Sequence, residues 1–182
     1  MTQNRSFDVV QHLAALRRFA RTLTRDDTEA DDLVHDALVR AYERRGSFDT
    51  RRGLKPWLFS VLHNTFIDRV RRRKAEAARD GDYGRDAVGT VAEPAQDAAV
   101  RLSQIRRAFD ALPHDQREAL HLVAVDGLPY QEAAAVLGVP VGTLMSRIGR
   151  ARAALRALEA DRAAEPSPRP NLKIVGGHDD PR

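Results

Sequence analysis

Residues 126–156 read DGLPYQEAAAVLGVPVGTLMSRIGRARAALR, and this stretch decides the fold of the second half of the chain. A short amphipathic run at 130–137 is followed by the turn sequence Gly-Val-Pro at 138–140, and a longer run begins at Val141. Gly138 tolerates the positive φ that such a turn often requires. Two helices joined by a tight turn, the second of them rich in arginine, are the layout of a DNA-binding helix-turn-helix.

The start of the second helix is where we expect DNA contacts, because the N-terminal residues of a recognition helix reach base edges and phosphates. The alternative is an ordinary helical hairpin with a solvated arginine face. The glycine, the apolar positions and the arginines coincide, which favours DNA binding. The predicted contact residues are Thr143, Met145, Ser146, Arg147 and Arg150.

A second basic feature lies at 69–74, where five of six side chains are cationic: Arg69, Arg71, Arg72, Arg73 and Lys74. Such a run repels itself unless an anion covers it. A solvated helix end, favoured by the helix dipole, is the alternative interpretation. Upstream, Asn64 lies among rings, those of His63 and Phe66, that suit stacking with single-stranded bases. We expect Trp57 and Phe59 to belong to the core instead.

A third feature is the polar face of the amphipathic segment 30–41, which carries Asp31, Asp32, His35 and Asp36. A metal site is a weak interpretation, because no second helix offers partner ligands. We expect a protein-docking face. The sequence contains no nucleophile–base pair and no phosphate-binding glycine loop, so we predict no catalytic residue, metal or cofactor.

Composition limits the remaining possibilities. The chain has 182 residues, a net charge of +4 and no cysteine, which excludes disulfides and thiolate metal sites. Its start lacks the basic segment and long apolar core of a signal peptide. No stretch approaches the roughly 20 apolar residues that span a bilayer. We expect a cytoplasmic protein that does not insert into membranes.

Helical periodicity before residue 74 and after residue 100, without period-two alternation, predicts an all-α fold. Residues 75–99 hold six acidic and two basic side chains and little large apolar surface, so they cannot order themselves. We predict two small helical domains, at 1–74 and 100–158, joined by a flexible acidic linker at 75–99. The proline-containing end, 159–182, is predicted to be a disordered tail.

These blocks together resemble the extracytoplasmic-function group of the sigma-70 family of RNA polymerase sigma factors. The stretch ADDLVHDALVRAYERRGSFD at 30–49 is similar to the helix that docks on the clamp helices of the polymerase β′ subunit. The stretch LKPWLFSVLHNTFIDRVRRRK at 54–74 resembles the segment that reads the −10 element and melts the promoter. Residues 111–156 resemble region 4, which reads the −35 element.

The resemblance implies partners and roles for particular residues. It implies a sigma factor without catalytic activity that binds core RNA polymerase, at the β′ clamp helices and the β flap, and promoter DNA. Members of the group are often held by an anti-sigma factor. Asn64 matches a position near the pocket for a flipped −10 base. The implied polymerase-binding residues are Asp31, Asp32, Leu33 and Asp36, with His35 on the same face, and Thr143, Ser146 and Arg147 match −35 contacts. The sequence differs from the group at Met145, because members of the group commonly have a lysine at this position.

Two other functions compete with this one. A stand-alone helix-turn-helix regulator explains 111–156 equally well but leaves the basic run at 69–74 and the acidic face without a role. A small nuclease or hydrolase using Asp31, His35 or His63 lacks any supporting constellation.

Overall fold

A computed structural model of the protein describes residues 7–49, 51, 53–80 and 97–163. Within these ranges the backbone forms seven α-helices and no β-strand, which confirms the predicted all-α class. None of these helices combines the length and the apolar character needed to cross a bilayer. The helices are α1 (Leu13–Thr24), α2 (Asp27–Glu43), α3 (Leu54–Asp80), α4 (Asp97–Asp110), α5 (His114–Leu120), α6 (Tyr130–Leu137) and α7 (Val141–Ala163).

The first domain consists of α1, α2 and α3. Arg25 ends α1 in the left-handed region at φ 60°, and the Asp26 carboxylate then caps α2 by accepting a hydrogen bond from the Glu29 amide at 2.7 Å. Five apolar residues of the predicted amphipathic segment 30–41 form a buried stripe on α2: Ala30, Leu33, Val34, Ala37 and Ala41. Phe19 of α1 and Phe59 of α3 meet edge to face with ring centroids 5.2 Å apart in the centre of the core. Phe59 is therefore a core residue, as expected.

Trp57 is also a packing residue. It lies half-buried near the start of α3, with its ring centroid 5.9 Å from that of Phe7 and 5.3 Å from that of Phe48. These three aromatic rings tie the segments flanking α1 and α2 to α3.

The second domain consists of α4 to α7 and contains the predicted helix-turn-helix. Gly138 ends α6 at φ 64°, and the Val139 amide donates to the Ala134 carbonyl at 3.0 Å. This C-cap satisfies carbonyl groups at the end of α6. The left-handed conformation of Gly138 then turns the chain sharply toward the start of α7. Leu144 and Ile148 of α7 are buried against α5 and α6. The turn that the sequence predicts is confirmed.

The two domains also pack directly against each other, α1 on α5 and α3 on α6, so that their buried apolar side chains form one continuous cluster. The sequence predicts the two domains but carries no sign of this contact.

The helices extend past two of the predicted boundaries. The predicted linker at 75–99 is helical at both ends, because α3 continues to Asp80 and α4 already begins at Asp97. Likewise α7 runs to Ala163, into the predicted tail. Alanine is the most frequent residue in these extensions and has the highest helix propensity. Residues 81–96 and 164–182 lie outside the described residues.

Candidate nucleic-acid interface

The N-terminal half of α7 presents a polar face to solvent. Thr143, Ser146 and Arg150 are exposed, and so is 57% of the surface of Met145. The Arg150 guanidinium donates to the Ser146 hydroxyl at 3.3 Å, which holds the arginine along the helix surface. Four of the five residues of α7 that are predicted to contact DNA are therefore accessible to solvent.

Arg147 has different surroundings. Its side chain is only 20% exposed, and its guanidinium forms ion pairs with Glu118 at 3.2 Å and Asp115 at 3.4 Å, both on α5. A charge-assisted contact of this kind fixes α7 against α5. The predicted role of Arg147 in reading DNA competes with this internal one.

The basic run at the end of α3 divides into two faces. Arg69 donates to the Asp36 carboxylate and, at 2.9 Å, to the Asp32 carbonyl, and Arg73 pairs with Glu29 at 3.2 Å. Positions 69 and 73 are one helical turn apart, so both face α2. The remaining cations, Arg71, Arg72 and Lys74, are exposed and form no ion pair with any other described residue.

The residues expected near single-stranded bases are also divided. Asn64 is exposed on α3. His63 is buried, with Nε2 3.4 Å from Glu118 of the second domain, and the Phe66 ring stacks on His114 at 5.4 Å. In this arrangement the second domain covers two of the three predicted base-facing side chains.

Four of the five residues predicted to bind polymerase are polar and lie on α2. Asp31, Asp32, His35 and Asp36 are exposed. The hydrogen bond from Arg69 is the largest influence on Asp36 and lowers the pKa of its carboxyl. Leu33 corrects the predicted set: its side chain is completely buried in the first-domain core, so it packs the domain and cannot contact a polymerase surface.

An apolar groove that was not predicted from the sequence lies on the other side of α2. The exposed side chains of Val39 and Tyr42 lie beside Phe7, Val9 and Leu38, and Arg45 covers the Tyr42 ring at 4.1 Å. The sequence feature that indicates this groove is a pair of large side chains, Val39 and Tyr42, which lie three positions apart and outside the buried stripe of α2.

Comparison with known proteins identifies both domains. Residues 9–76 match the family "Sigma-70 region 2", and residues 102–155 match "Sigma-70, region 4". The chain is 39% identical to the ECF RNA polymerase sigma factor EcfG of Rhodopseudomonas palustris (strain TIE-1), with 98% of each chain covered. The protein belongs to the extracytoplasmic-function sigma factors.

Solved structures of other sigma factors have the same fold. The sigma factor RpoE in complex with the anti-sigma factor NepR from Bartonella quintana is 36% identical, with a TM-score of 0.71, and 84% of this chain and 94% of that one are covered. CnrH in complex with the cytosolic domain of CnrY is 32% identical, with a TM-score of 0.59 and 84% and 85% covered. Because both sigma regions match, the chain is described better as a sigma factor than as a stand-alone helix-turn-helix regulator.

Within the sigma factor, region 2 and region 4 meet around a buried carboxylate, another feature that sequence analysis missed. The Asp126 side chain is completely buried, with Oδ1 3.3 Å from Arg18 and 3.9 Å from Lys55, and Oδ2 3.0 Å from His121 Nε2. Asp126 follows α5 in region 4, whereas Arg18 and Lys55 belong to region 2.

Arg117 is a second buried charge at this contact. It is 2% exposed and donates to the Thr22 carbonyl at 3.0 Å and the Leu112 carbonyl at 2.8 Å. Burial is the main cause that lowers the pKa of Arg117 to about 10, so the side chain remains protonated at neutral pH.

Proposed function

We propose that this sigma factor binds core RNA polymerase through the exposed polar side chains of α2 and reads promoter DNA at two places. The docking residues are Asp31, Asp32, His35 and Asp36. The observation that supports the proposal is that one sigma fold exposes three separate polar surfaces. One of these lies on α2, one on α3 and one on α7.

Region 4 supplies the duplex contact. Thr143, Met145, Ser146 and Arg150 lie in the first three turns of α7, the part of a recognition helix that enters the major groove. Their exposure supports a −35 contact. We assign Arg147 a positioning role, since Glu118 and Asp115 already occupy its guanidinium.

Region 2 supplies the contact with the melted strand. Asn64 and the exposed cations Arg71, Arg72 and Lys74 offer a polar group and a charged surface for the −10 strand. Holding an unstacked base lowers the cost of strand opening, which is a few kcal/mol per step. The chemistry of RNA synthesis belongs to the polymerase, and the sigma factor contributes binding surfaces only. Its site of action is the cytoplasm.

The proposed contacts on the polymerase are the β′ clamp helices for region 2 and the β flap for region 4. The two similar sigma factors solved with NepR and with CnrY support a further part of the proposal, that an anti-sigma factor binds this chain as well. Affinity purification of the tagged chain from its own cells, followed by identification of the proteins that co-purify with it, tests for such a partner.

In vitro transcription with core polymerase tests the assignment to α7. We expect Arg150→Ala to lower promoter-specific transcription at least tenfold. Arg156→Ala is the matched control: it removes an exposed arginine about 9 Å further along the same helix axis. Equal loss from both variants, or none from either, contradicts the assignment.

A further inference from the structure

We propose that Met145 selects a T·A base pair in the −35 element, through contact of its side chain with the C5-methyl group of the thymine. The inference rests on the proposed −35 contact of α7 and deepens it, because it names the base pair that one side chain reads. This role differs from the hydrogen bonds that the polar residues of the same helix can form.

Met145 leaves more than half of its apolar side chain in contact with solvent. It is 57% exposed in the second turn of α7, whereas Leu144 and Ile148 are 0% and 2% exposed. The helix therefore turns its core-packing side chains inward and Met145 outward. Single exposed apolar residues are common on protein surfaces. Met145 differs from these because it lies in the part of a recognition helix that enters the major groove.

The chemistry of the thioether limits what Met145 can recognise. Its sulfur is a weak acceptor, and the side chain has no donor and no charge, so it can neither bind a phosphate nor donate a hydrogen bond to a base. On the base edges of the major groove the apolar group is the C5-methyl of thymine, and the other groups are donors and acceptors. Apolar contact with thymine is therefore the base readout that Met145 supports.

Val141 extends the apolar surface of Met145 toward the start of α7. The two residues are four positions apart, so they are neighbours on the same side of the helix. Val141 is 37% exposed. A methyl group that packs against Met145 therefore has a second apolar side chain nearby.

The polar groups around these two side chains favour DNA over a protein partner. Thr143, Ser146 and Arg150 are exposed on the same turns of α7. A protein-docking surface would need a larger contiguous apolar patch. A base edge in the major groove is apolar at one point and polar around it, which matches this arrangement.

Two glycines flank Met145 on the outer surface of α7. Gly142 precedes Met145 by three positions and Gly149 follows it by four, so the three residues share one face. A Cβ atom added at either glycine would meet no atom of the described residues within 4 Å, so internal packing requires neither glycine. Glycine inside a helix destabilises it relative to alanine. We infer that these positions lack side chains because DNA approaches the helix backbone closely there.

A binding selection tests which base pair Met145 reads. The full-length chain is assembled with core polymerase, and promoter fragments that are random at the −35 positions are selected by the parent chain, Met145→Ala and Met145→Leu. The parent chain and Met145→Leu should require a T·A pair at one position, and Met145→Ala should lose the preference at that position alone. The same motif in the parent chain and in Met145→Ala overturns the proposal.

Ile105→Ala is the matched control for the selection. Ile105 lies on α4 in the same region and is 54% exposed, almost the same as Met145. Its replacement also removes a large exposed apolar side chain, but outside the recognition helix, so the selected motif should not change. Circular dichroism checks that each variant keeps its helices.

Deoxyuridine in place of the selected thymine isolates the methyl group. Binding of the assembled parent chain should weaken about fourfold, which is the loss expected when one methyl group leaves an apolar contact. Met145→Leu should show the same loss, and Met145→Ala should bind both duplexes equally. Equal losses in the parent chain and in Met145→Ala overturn the proposal, because the methyl group then contacts another residue.

Gly149→Ala tests the close approach of DNA to α7. The melting temperature of the full-length chain should rise by about 2–4 °C, because alanine has the higher helix propensity. Binding of the assembled variant to the selected duplex should nevertheless weaken several-fold. Unchanged binding contradicts the role given to the glycines.

The selection separates this inference from the proposed function on which it rests. A −35 motif that does not depend on Met145 overturns the role of Met145 and supports the −35 contact of α7. Selection of no −35 motif by the parent chain overturns both.

Discussion

Arg69 of α3 donates a hydrogen bond to the carboxylate of Asp36 on α2. The arginine belongs to the basic run predicted to bind DNA, and the aspartate belongs to the face predicted to bind polymerase. One contact therefore links the two proposed surfaces of region 2 and fixes the spacing between their helices.

Removing this donor should raise the pKa of the Asp36 carboxyl toward its ordinary value of 3.8. The pKa is lowered in the folded chain, so the contribution of the pair to stability is present above that ordinary value and is lost as the pH falls through the folded pKa. A carboxyl NMR titration of Arg69→Ala measures this, with Arg71→Ala as control. An unchanged Asp36 pKa in Arg69→Ala would show that the bond is absent in solution.

Alanine substitutions of the neighbours Leu33 and Asp32 should have opposite effects: the first on stability, the second on polymerase binding. Leu33→Ala should lower the free energy of unfolding by about 2–5 kcal/mol, because it leaves a cavity in the core. Asp32→Ala, at an exposed position, should leave stability within about 0.5 kcal/mol and weaken polymerase binding. Urea unfolding and a core-polymerase pull-down separate the two effects. Full stability of Leu33→Ala would contradict its place in the core.

Alanine substitutions of Arg147 and Arg150, in the first half of α7, should have different effects on stability and on DNA binding. Arg147→Ala removes a partner of the buried Glu118 and should cost about 1–3 kcal/mol of stability. Arg150→Ala should leave the melting temperature nearly unchanged while it weakens duplex binding. Thermal unfolding and a −35 duplex titration compare them. If Arg147→Ala keeps its stability and loses all DNA binding, Arg147 is a contact residue and not a positioning one.

The exposed cations of α3 should control the salt dependence of promoter binding. Replacing Arg71, Arg72 and Lys74 by alanine should reduce the log–log salt slope of the assembled holoenzyme by about 2 to 3, since each lost phosphate contact contributes roughly 0.7–0.9. Arg73→Ala serves as control because Arg73 pairs with Glu29. An unchanged slope in the triple variant would place the DNA elsewhere.

Acid should destabilise the contact of region 4 with region 2 through His114. Burial is the main cause that lowers the pKa of His114 below 6.5, although Glu118 opposes this and Arg117, His63 and Arg25 also face the ring. The contribution of neutral His114 to the stability of the folded chain is full above pH 6.5 and is lost as the pH falls below it. The free energy of unfolding, measured with urea, should therefore decrease more in the parent chain than in His114→Gln when the pH is lowered below 6.5. Equal decreases would show that His114 is not buried in solution.

Much of the fold follows from local patterns in the sequence. The α2 stripe, the turn at Gly138 and the exposed start of α7 depend on spacing within one or two helices, and all three are confirmed. The helix extensions beyond residue 74 and beyond residue 158 were missed because the acidic charge of 75–99 and the prolines of the tail outweighed local helix propensity.

The contact between the domains could not be predicted in this way. Asp126 and Arg18 are 108 positions apart, and nothing in either local pattern links them. Leu33 was assigned to the docking face by resemblance, although its place in the stripe with Ala30 and Ala37 already indicated burial. The pairing of Arg69 with Asp36 depends on how α2 and α3 pack, which periodicity alone does not specify.

The most direct test of the central claim is to map transcript 5′ ends made by core polymerase from a genomic DNA library, with and without this chain. We predict that the chain produces a discrete set of starts that share one motif near −35 and one near −10, and that Arg150→Ala and Asn64→Ala each weaken the use of these promoters. Starts identical to those of core polymerase alone would contradict the account.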